Sequence, residues 1–189
     1  MNKNQSLYKS IALIALTVGL LLMIPLIAMQ FSNDVVWTLS DFVFAGTLLF
    51  GTGLSYRLMT RKSGLPIYRI AIGLALFTGL LLIWVNLAVG IIGSEDNPIN
   101  LVYFGVIFIG ILGAFMGRFW SRGMERTMFA MAITQAVITA ITLIGGFYQS
   151  PPSTVFHIIG VNGFFITLYI LSALLFRHAA KDNKSTSII

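Results

Sequence analysis

Long apolar runs alternate with short polar breaks along the whole chain. The sharpest break is Ser94-Glu95-Asp96-Asn97-Pro98, which separates the run ending at Gly93 from the run starting at Ile99. A membrane helix needs about 20 predominantly apolar residues to cross roughly 30 Å of hydrocarbon. By that rule the pattern predicts six spans, at about 11–31, 36–59, 67–93, 99–120, 124–148 and 154–178. The intervening segments Ser32-Asn33-Asp34, Lys62-Ser63-Gly64-Leu65-Pro66 and Gln149-Ser150-Pro151-Pro152-Ser153 carry the Gly, Pro and small polar residues that stop and restart helices. The expected fold is all-α, a single domain built as a bundle of six transmembrane helices. The polar tail from Ala179 to Ile189 is expected to fray.

The first run has a rival reading as a cleaved signal peptide. Such peptides have an apolar core of about 7–15 residues and a small-x-small cleavage site. Ile11 to Phe31 is longer, and Ala28-Met29-Gln30 is a poor site, so a retained first helix is expected.

Composition supports the bilayer as solvent. The chain of 189 residues is 57% hydrophobic and 10% charged, with mean hydropathy +0.91. Soluble domains carry about 25% charged residues. The net charge of +6 follows from sidedness. All 12 Lys and Arg fall at the two termini, between spans two and three, or between spans four and five. The other three connections carry Asp34, Glu95 and Asp96, with Asp41 at their edge, and Glu125 and Asp182 are the two acids on the basic side. Short loops rich in Lys and Arg stay in the cytoplasm. Both termini are therefore expected to be cytoplasmic. Trp37, Tyr103 and Tyr148 fall at predicted outer ends, and Tyr8, Tyr56, Tyr68 and Trp120 at inner ends, where amphipathic rings suit the interface.

Spans two and four begin alike. Asp41-Phe42-Val43-Phe44-Ala45-Gly46 lies over Asn100-Leu101-Val102-Tyr103-Phe104-Gly105, and Gly51 lies over Gly110. Residues 41–93 and 100–148 thus form a candidate parallel repeat of helical hairpins, an arrangement that transporters use in larger units.

Candidate chemistry falls into two groups. The first is an outer acidic cluster of Asp41, Glu95, Asp96 and His157, joined by Asp34, Asn97 and Asn100. Carboxylates suit hard cations and a histidine suits zinc, but no ligand spacing is present, and no metal is expected. Asp41 reads either as a functional carboxylate inside a span or as an acid capping a helix start. The second group lies within the spans. Gln135 is near the middle of the fifth, and Thr139 and Thr142 share its face at i+4 and i+7. Asn86 and Asn162 lie about two turns in from the outer ends of the third and sixth. In lipid such side chains face the bundle interior, as glue between helices or as the lining of a polar cavity. Asn86, Gln135, Thr139 and Asn162 are the candidate ligand-binding residues. Gly113 and Gly117 form a Gly-x-x-x-Gly pair that allows a close helix approach, within this chain or to another.

The rest is exclusion. The chain has no cysteine, so disulfides, thiolate catalysis and Cys-ligated metals are out. His157 and His178 are 21 residues apart, about 31 Å along one helix, and cannot clamp one haem. There is no P-loop, His-Glu-x-x-His or Gly-x-Ser-x-Gly. No cofactor is expected. The scattered basic residues suit anionic lipid headgroups and do not indicate nucleic acid.

The run VNLAVGIIGSEDNPINLVYFG resembles one found in small, polytopic, uncharacterised proteins of the bacterial inner membrane. The resemblance covers mainly the third and fourth spans and implies a bacterial cytoplasmic membrane, with no function attached. The expected function is non-enzymatic: a subunit of a membrane complex, or a small carrier that works as a homo-oligomer. The alternative is a membrane enzyme or metal-binding protein acting at the outer face through the acidic cluster.

Overall fold

The structure, a computed structural model, describes residues 3–31, 35–62 and 64–186. Asp34, named above among the outer acids, lies outside the described residues. The described chain is all-helical, and six of its helices are long and apolar enough to cross a membrane. They are α1 (Lys3–Phe31), α2 (Leu39–Met59), α3 (Pro66–Ala88), α4 (Tyr103–Met116), α5 (Ser121–Ile144) and α6 (Val155–Thr186). A 3-10 turn, Pro98–Val102, leads into α4 and extends its apolar stretch to Pro98–Met116.

Two compact units result, Met1–Leu58 and Met59–Ile189. In the first, α1 lays Leu22 and Ile14 against Gly46 and Gly53 of α2. The Arg57 guanidinium closes the basic end by donating to the Ser10 hydroxyl (3.0 Å). Nothing in the α1 span is buried, and α2 buries only Ala45. A helix that is apolar all round and uncovered matches lipid as its solvent. α2 starts with a one-way cap from Thr38 to Asp41. The Thr38 backbone N–H and hydroxyl both donate to the Asp41 carboxylate, at 2.7 and 2.8 Å.

In the second unit α5 packs along α6, α6 also lies on α3, and α4 lies on α5. The core is built from Tyr68, Ile72 and Leu82 of α3, Val106 of α4, Met124, Met128 and Met131 of α5, and Ile158, Phe165, Tyr169 and Phe176 of α6. The Ser172 hydroxyl of α6 donates to the Ala71 carbonyl of α3 (3.1 Å). The Gly-x-x-x-Gly pair finds its partner inside the chain: Gly113 faces Thr127 of α5, and Gly117 meets Gly123 backbone to backbone. The turn between them holds Arg118 and Phe119 at φ +49° and +59°, a conformation non-glycine residues adopt only under constraint. The Tyr68 hydroxyl donates to the Phe119 carbonyl and fastens that turn to α3.

Several boundaries differ from the hydropathy pattern. The pattern runs the third span to Gly93, but α3 ends at Ala88. Gly90 takes φ +75°, which suits glycine alone, and its N–H returns to the Val85 carbonyl (3.1 Å). Ile91 and Ile92 then enter the core as non-helical chain. Their side chains are as apolar as a helix interior, so hydropathy cannot separate the two cases. The tail expected to fray from Ala179 is helical to Thr186, and Ala179 is itself buried. The packing does not show the candidate repeat. α2 belongs to the first unit and α3 to the second, whereas α4 and α5 pack together within one.

Candidate functional site

The polar residues of the second unit converge in two places. The first is the connection from α3 to α4, at the acidic end. Asn100, in the 3-10 turn, is its hub. Its Oδ1 accepts from the N–H groups of Ile91 (3.0 Å) and Ile92 (2.9 Å). Its Nδ2 donates to the carbonyls of Ile92 (3.2 Å) and Ser94 (2.8 Å). Irregular backbone inside a membrane protein must find partners within the protein, and one amide supplies four of them here. Asn86 of α3 donates from Nδ2 to the Asn100 backbone carbonyl (3.0 Å). Gly93 N–H donates to the Ser153 hydroxyl (2.7 Å), tying this connection to the one before α6.

The second place lies deeper, between α4, α5 and α6. Gln135 is fully buried, and its Nε2 donates to Asn162 Oδ1 (2.8 Å). Asn162 in turn donates from Nδ2 to the Ile158 carbonyl (2.9 Å). That chain of bonds fixes both amide orientations. A backbone carbonyl accepts only, so Asn162 must present its nitrogen to Ile158 and its oxygen to Gln135. Gln135 must then present its nitrogen to Asn162, and its own Oε1 is left over. It has no hydrogen-bond partner among the described residues. The Tyr103 hydroxyl of α4 reaches toward Asn162 and Thr142 but makes no hydrogen bond of normal geometry, with the residue 1% exposed. Among the described residues, two more buried atoms are unpaired: Asn86 Oδ1 and the Tyr169 hydroxyl. A buried polar group without a partner costs about 1–3 kcal/mol, and native proteins keep few of them without a reason.

The residues singled out from sequence are distributed unevenly over this site. Gln135 and Asn162 meet directly. Thr139 does not join them: its hydroxyl donates back to the Gln135 backbone carbonyl (2.7 Å) on its own helix. Thr142 is buried beside Tyr103, its hydroxyl donating to Ile138 (2.8 Å). Asn86 serves the α3–α4 connection. Tyr103 and Tyr68, assigned to the interfaces by their positions in the sequence, are both buried in the core. An aromatic at the end of a span reads the same in either role. Asn100 reads in the sequence as one outer polar residue among several, and the structure makes it the hub. Asn-Pro-x-Asn after a broken apolar run is the available signal.

Asp41, Glu95, Asp96 and His157 are all exposed. Glu95 and Asp96 lie on the connection, His157 lies in the first turn of α6, and Asp41 completes the cap of α2. His157 gives its backbone N–H to the Thr154 hydroxyl (3.1 Å), which caps α6. Among the described residues no three of His, Cys, Asp and Glu gather closely enough to hold a metal ion. At the basic end, the two acids that break the charge pattern each have a basic neighbour: Glu125 the Arg177 guanidinium at 3.9 Å, and Asp182 the His178 imidazole at 3.8 Å.

Compared with known proteins, the chain matches no family model, no curated protein and no solved structure. The site must therefore be interpreted from its own geometry.

Proposed function

We propose that this multi-pass membrane protein is a non-enzymatic binder, whose α4–α6 seam holds a small ligand inside the membrane. It acts as a small oligomeric carrier or as the ligand-holding subunit of a membrane complex. The observation that carries this reading is Gln135 Oε1: a fully buried acceptor, locked in orientation and left without a donor. Asn100 shows that a structural amide in this bundle can be paired at both ends. Tyr103 adds a second unpaired group beside the same Asn162 amide. The outer-face enzyme alternative has no comparable support, since its acids stand exposed and Asp41 is engaged with Thr38.

The proposed setting is a bacterial cytoplasmic membrane with both termini inside. The confinement of Lys and Arg to alternate connections supports that orientation.

The binding reading is tested with Gln135→Leu. Native mass spectrometry of protein extracted in mild detergent should show a small non-lipid mass on the wild type and none on the variant. The melting temperatures of the two should stay within a few degrees. A wild type that carries no such mass, with a variant that melts at or above it, would reduce Gln135 to packing.

A further inference from the structure

The two unpaired groups of the deep seam differ in kind. Gln135 Oε1 can only accept a hydrogen bond. The Tyr103 hydroxyl carries a proton with no acceptor in normal geometry. Both flank one amide: Gln135 bonds Asn162, and the Tyr103 hydroxyl lies beside it. The seam therefore presents one acceptor and one donor, on two different helices, to either side of the Asn162 amide. Every other polar group here is already engaged: Asn162 Nδ2 with Ile158, and Thr142 with Ile138.

Among the described residues of this unit, none that is buried carries a charge. The buried polar residues of the unit, Thr60, Thr78, Asn86, Asn100, Ser121, Thr127, Gln135, Thr142, Asn162 and Ser172, are all neutral. An anion would meet no buried Lys, Arg or His. A cation would find one fixed carbonyl oxygen where it needs a ring of them to replace its water. Moving either ion into an uncharged apolar interior costs more than two hydrogen bonds return.

We propose that the ligand is an uncharged molecule that donates one hydrogen bond to Gln135 Oε1 and accepts one from the Tyr103 hydroxyl, as a small amide or alcohol would. This rests on the reading that the seam binds a ligand. An ordered water offers the same donor and acceptor, so the test separates a solute from water.

Full-length protein in detergent is melted with acetamide, acetate or methylammonium, three probes of similar size that differ in charge. The wild type is compared with Tyr103→Phe and Gln135→Leu. Tyr103→Phe removes a hydroxyl that makes no hydrogen bond of normal geometry, so it should fold as the wild type does. Acetamide should raise the wild-type melting temperature in proportion to its concentration, and the rise should be lost in Tyr103→Phe. Acetate and methylammonium should leave the wild type unchanged. A charged probe that acts through the same two residues would overturn the uncharged class while leaving the binding reading intact. An acetamide effect equal in all three proteins, or none in the wild type, would overturn the proposal and leave water as the occupant. The co-purifying mass lost with Gln135→Leu judges the binding reading separately.

Discussion

An amide side chain has two ends, and its partners decide which end is left over. Asn100 has both ends filled by backbone groups of the α3–α4 connection. Replacing it with alanine strands the Ile91 and Ile92 N–H groups and the Ile92 carbonyl, while the Ser94 carbonyl keeps the Asn97 N–H. The expected loss is at least about 3 kcal/mol, seen as a large fall in melting temperature. Asn97→Ala removes only a cap to the Ile99 N–H (3.1 Å) and should cost about 1 kcal/mol. Equal effects from the two would show that Asn100 is no hub. Tyr169 is the opposite case, a fully buried residue whose hydroxyl is unpaired. Tyr169→Phe should stabilise the protein by about 1 kcal/mol, a rise of about 2–4 °C on thermal melting. A fall would mean that this hydroxyl has a partner after all. At this scale the sequence is legible where depth alone decides. Gln135 and Asn162 have to face inward, because an amide in lipid is costly. Tyr103 is not legible, because a phenol at a span end satisfies interface and core equally.

At the scale of elements, glycine marks where two helices touch. Adding a Cβ to Gly123 would drive it into the Gly117 Cα and carbonyl, and backbone cannot step aside. Gly123→Ala should therefore cost about 1–3 kcal/mol, as overpacking does. Gly105 on α4 and Gly160 on α6 have nothing within 4 Å of where an alanine methyl group would sit. Alanine at either should be neutral or stabilise by up to about 1 kcal/mol through helix propensity. Melting of the three single variants checks the ranking, and a destabilised Gly105→Ala beside an unaffected Gly123→Ala would contradict the packing of α4 on α5. The Gly-x-x-x-Gly pattern can be read in sequence as a close approach, but its partner cannot. Any small-residue stripe fits any other until the chain is folded.

For the whole molecule, sidedness is the property to test. The chain has no cysteine, so a single introduced thiol reports its own position. Ser94→Cys and Gly64→Cys place thiols at exposed sites on an acidic and a basic connection. In intact spheroplasts a membrane-impermeant maleimide should label Ser94→Cys and should reach Gly64→Cys only after lysis. The reverse pattern would invert the proposed topology.

The sequence by itself determined that the chain is helical, that six stretches can cross a membrane, and which connections carry positive charge. Each of these follows from a local rule. A backbone in hydrocarbon must bond to itself within the segment, and a charge must stay in water. Only the tertiary structure decided that α3 stops at Ala88, that Ile91 and Ile92 fill the core without helix, and that Gln135, Asn162 and Tyr103 meet. Lipid and protein interior are both apolar solvents, so the hydrophobic pattern cannot say which face of a span is covered. Which polar atoms meet, and which one is left unpaired, depends on helix rotation and depth, which packing between distant segments sets.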